Sequence, residues 1–404
     1  MVPKGWSSVQ AQDVCKSISV GVVIKPTQYY VPEGYGVKAF RSANVREGFI
    51  NDSDWVYFSH EGHAINKKSH LKTGDVLIVR TGYPGTACVV TPEFEGSNAI
   101  DIVIARPDMD KIIPEYLCAY TNSHIGKSQV LDLQGGMAQK HLNVGAYQVL
   151  KINLPPLREQ KKIAQILSTW DKAISVTEKL LTNSQLQKKA LMQQLLTGKK
   201  RLLNENGGRF IGEWCTCTLS EVAHIIMGSS PKSEAYNDNG LGLPLIQGNA
   251  DIKCRVSCPR VYTSDITKEC SPGDILLSVR APVGTVALSQ HKACIGRGIS
   301  AIKSKRKMSQ SFLYQWFLWF EPKWCYLSQG STFESINSDD IKTLKLSVPN
   351  FEEQQKIATV LSAADDEIAT LEKKLACLKD EKKALMQQLL TGKRRVKIDE
   401  AVAA

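Results

Sequence analysis

The 404-residue sequence predicts an α/β (α+β) fold in which two globular domains are separated by a pair of long antiparallel coiled-coil helices, with an internal pseudo-two-fold duplication. Three observations carry this. A segment of 48 residues occurs twice, each copy has the apolar spacing of one long helix, and each follows a stretch of short apolar runs broken by turn residues.

The duplication comes first because it organises everything else. Residues 154–201 align with 348–395 at a constant offset of 194 without a gap, with 26 identities in 48 positions. Both copies begin with a Pro-containing Glu-Gln segment, Leu154-Pro155-Pro156-Leu157-Arg158-Glu159-Gln160 and Val348-Pro349-Asn350-Phe351-Glu352-Glu353-Gln354. Both end on Lys-Lys-Ala-Leu-Met-Gln-Gln-Leu-Leu-Thr-Gly-Lys, at 188–199 and 382–393. Between these marks the 3–4 spacing predicts a seam of Ile163, Leu167, Trp170, Ile174, Leu181, Leu191 and Leu195 in the first copy. The second copy offers Ile357, Leu361, Ile368, Leu371, Leu375, Leu378, Leu385 and Leu389. Lys188 and Lys382 interrupt the seams at equivalent places. Prolines stand before each start, Gly198 and Gly392 after each last apolar turn, and a cationic triplet follows, as helix stops and the helix dipole favour. Each helix should extend roughly 60 Å at about 1.5 Å per residue. Two matched seams of this length predict that the helices pack on each other, antiparallel, bringing the chain termini together.

The globular parts repeat more loosely. Gly74-Asp75 followed by an apolar run, Arg80 and Gly85-Thr86-Ala87 resembles Gly273-Asp274 with its run, Arg280 and Gly284-Thr285-Val286-Ala287. Each reads as turn, buried strand, turn, strand. Asn143 and Asn337 align, and helical stretches are expected near 111–122 and 309–327. The predicted organisation is a domain at 1–153, a helix at 154–200, a second domain at 201–347, and a helix with a tail at 348–404. The Gly207-Gly208 stretch at 199–213 reads as a linker.

Composition narrows the function. Lys and Arg number 51 against 40 Asp and Glu, a formal charge of +11, which favours polyanionic partners. No run of 18 apolar residues occurs and the start lacks the apolar core of a signal peptide, so a cytoplasmic protein without a membrane partner is expected. The 11 cysteines are odd in number and lie mostly in apolar segments, which suggests reduced thiols. Cys215-x-Cys217 and Cys254-x-x-x-Cys258 have no second ligand pair at zinc-site distance, so no metal and no cofactor is expected.

Catalytic motifs fail on spacing. Gly126-Lys127-Ser128 ends like a phosphate-binding loop, but Thr121 occupies the position of its first glycine. His60-Glu61-Gly62-His63 is one residue short of a zinc-protease pair. Asn153-Leu154-Pro155-Pro156 interrupts the tetrapeptide of a base methyltransferase, and Asp108 and Asp110 stand too close for a nuclease pair. The expectation is a non-catalytic chain. Two other classes remain to be separated from DNA binding: a coiled-coil scaffold whose domains bind proteins, and a fused nuclease-methyltransferase.

The repeated helix start, the Leu-Leu-Thr-Gly-Lys exit, Gly212-Glu213-Trp214 leading into Leu219-Ser220-Glu221-Val222-Ala223, Met227-Gly228-Ser229-Ser230-Pro231 and Gly242 to Asn249 together resemble the specificity subunits of Type I restriction-modification systems. The likeness spans nearly the whole chain. It departs at the second helix start, where Asn350 and Phe351 replace Pro and Leu. It implies two target-recognition domains that each read half of a split, asymmetric site in double-stranded DNA. It implies helices that set the half-site spacing and dock methyltransferase subunits, two of them, with two restriction-motor subunits completing the DNA-modifying complex. Because Arg, Asn and Gln make the commonest base contacts, the candidate DNA-binding residues are Arg80, Tyr83, Gln139, Lys140 and His141 in the first half. In the second they are Lys232, Gln247, Asn249, Arg280 and Arg297.

Overall fold

The structure is a computed structural model and describes residues 2–133, 141–324 and 335–398. The chain divides into two compact units, Met1–Glu178 with Lys374–Ala404, and Lys179–Lys373. Each unit therefore contains one globular domain, the start of one long helix and the end of the other. The helices span Leu157–Leu195 and Phe351–Leu390.

In the first unit a four-stranded sheet orders Cys15–Val20, Ile102–Pro107, Val76–Val79 and Ala87–Val89. A second orders Asn98–Ala99, Gly36–Phe40, Val56–Ser59 and Tyr30–Val31. The apolar run at Val76–Val79 is buried on both faces because it has packing on both sides. Val76 and Ile78 meet Tyr116, Leu117 and Tyr120, whereas Leu77 and Val79 meet Phe40 and Phe94. Helix Pro114–Asn122 covers the first face. Before the strand, Gly74 takes φ +87°, and the Asp75 carboxylate accepts from Lys72 N at 2.8 Å while Arg106 forks onto it at 2.7 and 2.8 Å.

The second unit repeats the scheme. Ile275–Ser278 is buried along its length, with Ile275 and Leu277 facing Phe312 and Trp316 and Leu276 facing Ile246 and Ile295. Gly273 has φ +88°, and Asp274 accepts from Ser271 N at 2.7 Å. The covering helix is Gln310–Phe320, shorter than the stretch expected from sequence because a 3-10 turn beginning at Glu321-Pro322 follows it. Asn143 and Asn337 each cap a short helix, Val144–Gln148 and Ser338–Lys342. Of the thiols, Cys88, Cys118, Cys270 and Cys294 are buried, but Cys215, Cys254 and Cys377 are exposed. Burial pushes the Cys88 thiol up to about 12.

Within each unit the two helix segments run antiparallel, as their cross-helix partners show. In the first, Glu159 pairs with Arg395, Asp171 with Lys382, and Glu178 with Lys379. In the second, Lys188 pairs with Asp365, Ser184 with Glu367, and Arg201 with Glu353. Ile163, Leu167, Leu389 and Leu390 join the core of the first domain, and Leu195, Leu196, Ile357 and Leu361 join that of the second. Trp170, Ile174, Leu181, Ile368, Leu371, Leu375 and Leu378 are half-buried, as a two-helix contact without a third layer allows. Leu191 and Leu385 are also half-buried.

The Glu-Gln motif at each helix start has two separate uses. Gln160 donates to the carbonyls of Pro155 and Lys111 and accepts from Ile113 N, all between 2.9 and 3.0 Å. Gln354 likewise donates to Pro349 O at 2.9 Å and accepts from Ser309 N at 2.9 Å. The glutamine thus ties the helix to its domain, while the glutamate holds the arginine that follows the exit of the other helix. At both exits glycine with φ +69° closes the helix, with Lys200 N bonding Gln194 O and Arg394 N bonding Gln388 O at 3.1 Å.

Candidate nucleic-acid interface

In the second unit three strand ends meet along one edge. Gln247 follows Leu243–Ile246, Arg297 lies between Ala293–Ile295 and Ile299–Ser304, and Arg280 follows Ile275–Ser278. Backbone hydrogen bonds link the three segments. Gly296 N bonds Ile246 O at 2.8 Å, Gly298 N bonds Gln247 O at 3.2 Å, and Val279 N bonds Gly298 O at 2.9 Å. The approach is close enough to require glycine: a Cβ on Gly298 would lie 2.3 Å from Gln247 O. Gly228 packs against the same loop, where its own Cβ would stand 2.2 Å from Gly296 O, and it leads through Ser229 to Lys232.

Gln247, Arg280, Arg297 and Lys232 are exposed along this edge, and Asn249 is half-buried at the start of the turn Asn249–Asp251. Buried Asp251 accepts from Gln247 N and from Arg260 Nε, both at 2.9 Å, and so anchors the Gln247 backbone. Among the described residues no hydrogen bond or ion pair occupies the Arg280 or Arg297 guanidinium.

The first unit builds the same edge and fills it differently. Ile100 N bonds Phe40 O at 2.8 Å, Gly21 N bonds Ile102 O at 2.9 Å, and Leu142 N bonds Arg80 O at 3.0 Å. These match Gly296 to Ile246, Gly228 to Ile299, and Ile336 to Val279 in the second unit. Val79 N to Thr86 O and Ser278 N to Thr285 O complete the correspondence. Arg80 therefore stands where Val279 stands, and Thr81, not Arg80, is the counterpart of Arg280. The sequence likeness had set the two arginines side by side. They are one residue out of register, and a one-residue step along a strand reverses the face.

Arg80 is accordingly only 8% exposed. Its Nε donates to Leu142 O at 3.0 Å, its Nη1 meets Asp101 at 2.5 Å, and its Nη2 faces His141 Nε2. Asp101 reaches it from a left-handed backbone, φ +49°, that few non-glycine residues adopt. A guanidinium can only donate, so His141 Nε2 accepts and Nδ1 carries the proton, donated to Thr81 Oγ1 at 3.0 Å. His141 is thus held by the scaffold, and Tyr83, 81% exposed, is the candidate of this turn that faces solvent. Gln139 and Lys140 lie outside the described residues.

The edge also contains residues that the sequence reading passed over. Lys25 precedes the turn Pro26–Tyr29 as Lys232 precedes Ser233–Ala235, and both are exposed. Each lysine stands four residues after its glycine, Gly21 or Gly228, a spacing that could have flagged the pair. Between them the first unit shows Val23 and Ile24, 50% and 80% exposed, where the second has Ser230 and Pro231.

Comparison with known proteins agrees with this architecture. The family described as the Type I restriction modification DNA specificity domain matches residues 3–186 and 211–380. The chain is 32% identical to the "Putative type I restriction enzyme MjaX specificity subunit" of Methanocaldococcus jannaschii, over 98% of this chain and 95% of that relative. It is 26% identical to the MjaVIII specificity subunit of the same organism, over 98% and 94%. Among solved structures, a chain from work on the complex assembly and conformational transition of the type I R-M system is 26% identical, with a TM-score of 0.62 over 98% of this chain and 100% of that one. The type I restriction-modification S subunit from M. genitalium, 15% identical over 96% of each chain with a TM-score of 0.61, shares the fold. No helix among the described residues is long and apolar enough to cross a membrane. A duplicated domain, paired helices and a polar edge built twice thus coincide with a match over most of the chain: the protein belongs to the type I restriction-modification specificity subunits.

Proposed function

We propose that the chain is the non-catalytic reader of a type I restriction-modification complex and works in the cytoplasm. Residues 1–153 and 201–347 act as target-recognition domains, each taking one half of a bipartite, asymmetric site in double-stranded DNA. The helices at 154–200 and 348–404 set the half-site spacing and dock two methyltransferase subunits, with two restriction-motor subunits added to the complete assembly. Half-sites about one helical turn apart face the same side of the duplex, which suits a rigid spacer. Base and backbone contacts come from Lys232, Gln247, Asn249, Arg280 and Arg297 in the second domain. In the first they come from Tyr83 and Lys25, with Gln139 and Lys140. Arg80 and His141 position that edge rather than touch DNA. The observation that carries this reading is one edge, built twice with the same backbone hydrogen bonds and furnished with different side chains.

Sequencing of methylated bases in cells expressing this chain with its methyltransferase tests it. A single split motif with an unread gap is expected, and affinity for that duplex should fall steeply with salt. Absence of DNA binding with the methyltransferase present, or turnover by the purified chain given DNA, Mg²⁺ and S-adenosylmethionine, would overturn it.

A further inference from the structure

We infer that the two edges are chemically specialised. The second reads a half-site with guanines facing Arg280 and Arg297, and the first reads without a guanine contact from Arg80, through Thr81, Tyr83 and apolar contact. This rests on the functional reading above and deepens it.

The geometry of the second edge carries the argument. Arg297 sits at the tip of a Gly-Arg-Gly turn whose glycines press against Gln247, so its backbone is held although its side chain is exposed. Arg280 lies beside it through the Val279 N to Gly298 O bond of 2.9 Å. Elsewhere in this unit Arg201, Arg255 and Arg260 are occupied by Glu353, Glu321 and Asp251, while among the described residues no side-chain hydrogen bond or ion pair holds the exposed Arg209 or Arg306. Arg280 and Arg297 likewise have no such partner among the described residues, and these two stand on the edge itself. A guanidinium offers a planar fork that fits O6 and N7 of guanine. Gln247, on the far side of the Arg297 turn from Arg280, is the side chain suited to adenine, so the set is one of base readers rather than a purely cationic track.

The first edge lacks this equipment at the matching places. Each nitrogen of the Arg80 guanidinium meets a partner, Nε with Leu142 O, Nη1 with Asp101 and Nη2 with His141. Thr81 occupies the Arg280 position, and Ile100-Asp101 replaces the three-residue Gly-Arg-Gly turn. Exposed Val23 and Ile24 supply apolar surface of the kind that meets the thymine methyl group.

The test uses the full chain assembled with its methyltransferase. The split motif is first found by methylation sequencing, and duplexes are then made with 7-deazaguanine, which lacks the N7 acceptor, at each guanine in turn. Substitution at two guanines of the second half-site should weaken binding roughly tenfold each. Arg280→Gln and Arg297→Gln should each abolish the penalty at one of those positions and relax the motif there, leaving the first half-site unchanged. Arg280→Lys keeps the charge but loses the planar fork, and should retain only part of the discrimination at that position. If the variants weaken all sequences evenly, the side chains are phosphate clamps and the inference fails, and it fails equally if Arg280→Gln and Arg297→Gln leave the motif intact. It also fails if the second half-site proves insensitive to 7-deazaguanine while the split motif is present. If the unaltered assembly shows no split motif, the functional reading falls, and this inference with it.

Discussion

The helix ends and the strand-end edges respond differently to the same duplication. At the ends of the helices and farther along them, two ionic pairs recur in both copies residue for residue. Glu159 and Glu353 hold Arg395 and Arg201, and Asp171 and Asp365 hold Lys382 and Lys188. At the strand ends the backbone hydrogen bonds recur while the side chains change, Arg80 against Val279 and Thr81 against Arg280. A contact made by both copies constrains both partners at once. An exposed tip constrains neither, and is free to diverge toward a different half-site.

The helix ends are not quite equal, and the largest expected effect exploits this. Glu353 is fully buried and takes a two-pronged bond from Arg201 at 2.6 and 2.7 Å. Glu159 takes Arg395 and, at 3.1 Å, Trp6 Nε1, whereas buried Trp214 Nε1 has no hydrogen-bond partner among the described residues. Glu353→Ala should cost about 3 kcal/mol in urea denaturation, because Arg201, 25% exposed, loses its buried partner. Glu159→Ala should cost about 1–2 kcal/mol, because Arg395 is 43% exposed and is rehydrated. A loss below about 0.5 kcal/mol would place these pairs with ordinary surface ion pairs.

Next in size is the edge itself. Gly298→Ala forces a Cβ into Gln247 O, so the backbone must shift, at a cost of roughly 1–3 kcal/mol. Binding to the specific duplex should drop at least about tenfold while the far-ultraviolet dichroism is retained. Equal binding by the variant would show that the packing beneath Arg297 does not govern the edge. The smallest effect belongs to the mid-helix pairs. Lys188→Ala should cost about 1 kcal/mol and Lys382→Ala less. The difference arises because Lys188 is 13% exposed against 21% for Lys382, and Asp365 also holds Gln315 at 2.8 Å. The reverse order would break the comparison between the two halves.

Much of this was legible in the residues. The seams from Ile163 and Ile357 onward, the glycine stops and the Gly-Asp turns are local patterns, set by periodicity and by backbone conformations that few residues adopt. The purpose of Glu159 and Glu353 was not legible, because each partner lies far along the chain, 236 residues away for Glu159 and 152 for Glu353. The edge was half legible. Gln247, Arg280 and Arg297 were singled out by residue type, but nothing local showed that they adjoin. Arg80 had the same type as Arg280 and the opposite fate.

By itself the sequence determined that the chain is a duplicated unit with two long amphipathic helices, since repeat and period are properties of order along the chain. Only the tertiary structure decided which arginines face solvent. Side-chain direction in a strand reverses with each residue, so a single step of register, settled by long-range hydrogen bonds, separates an internal strut from a guanidinium exposed to solvent.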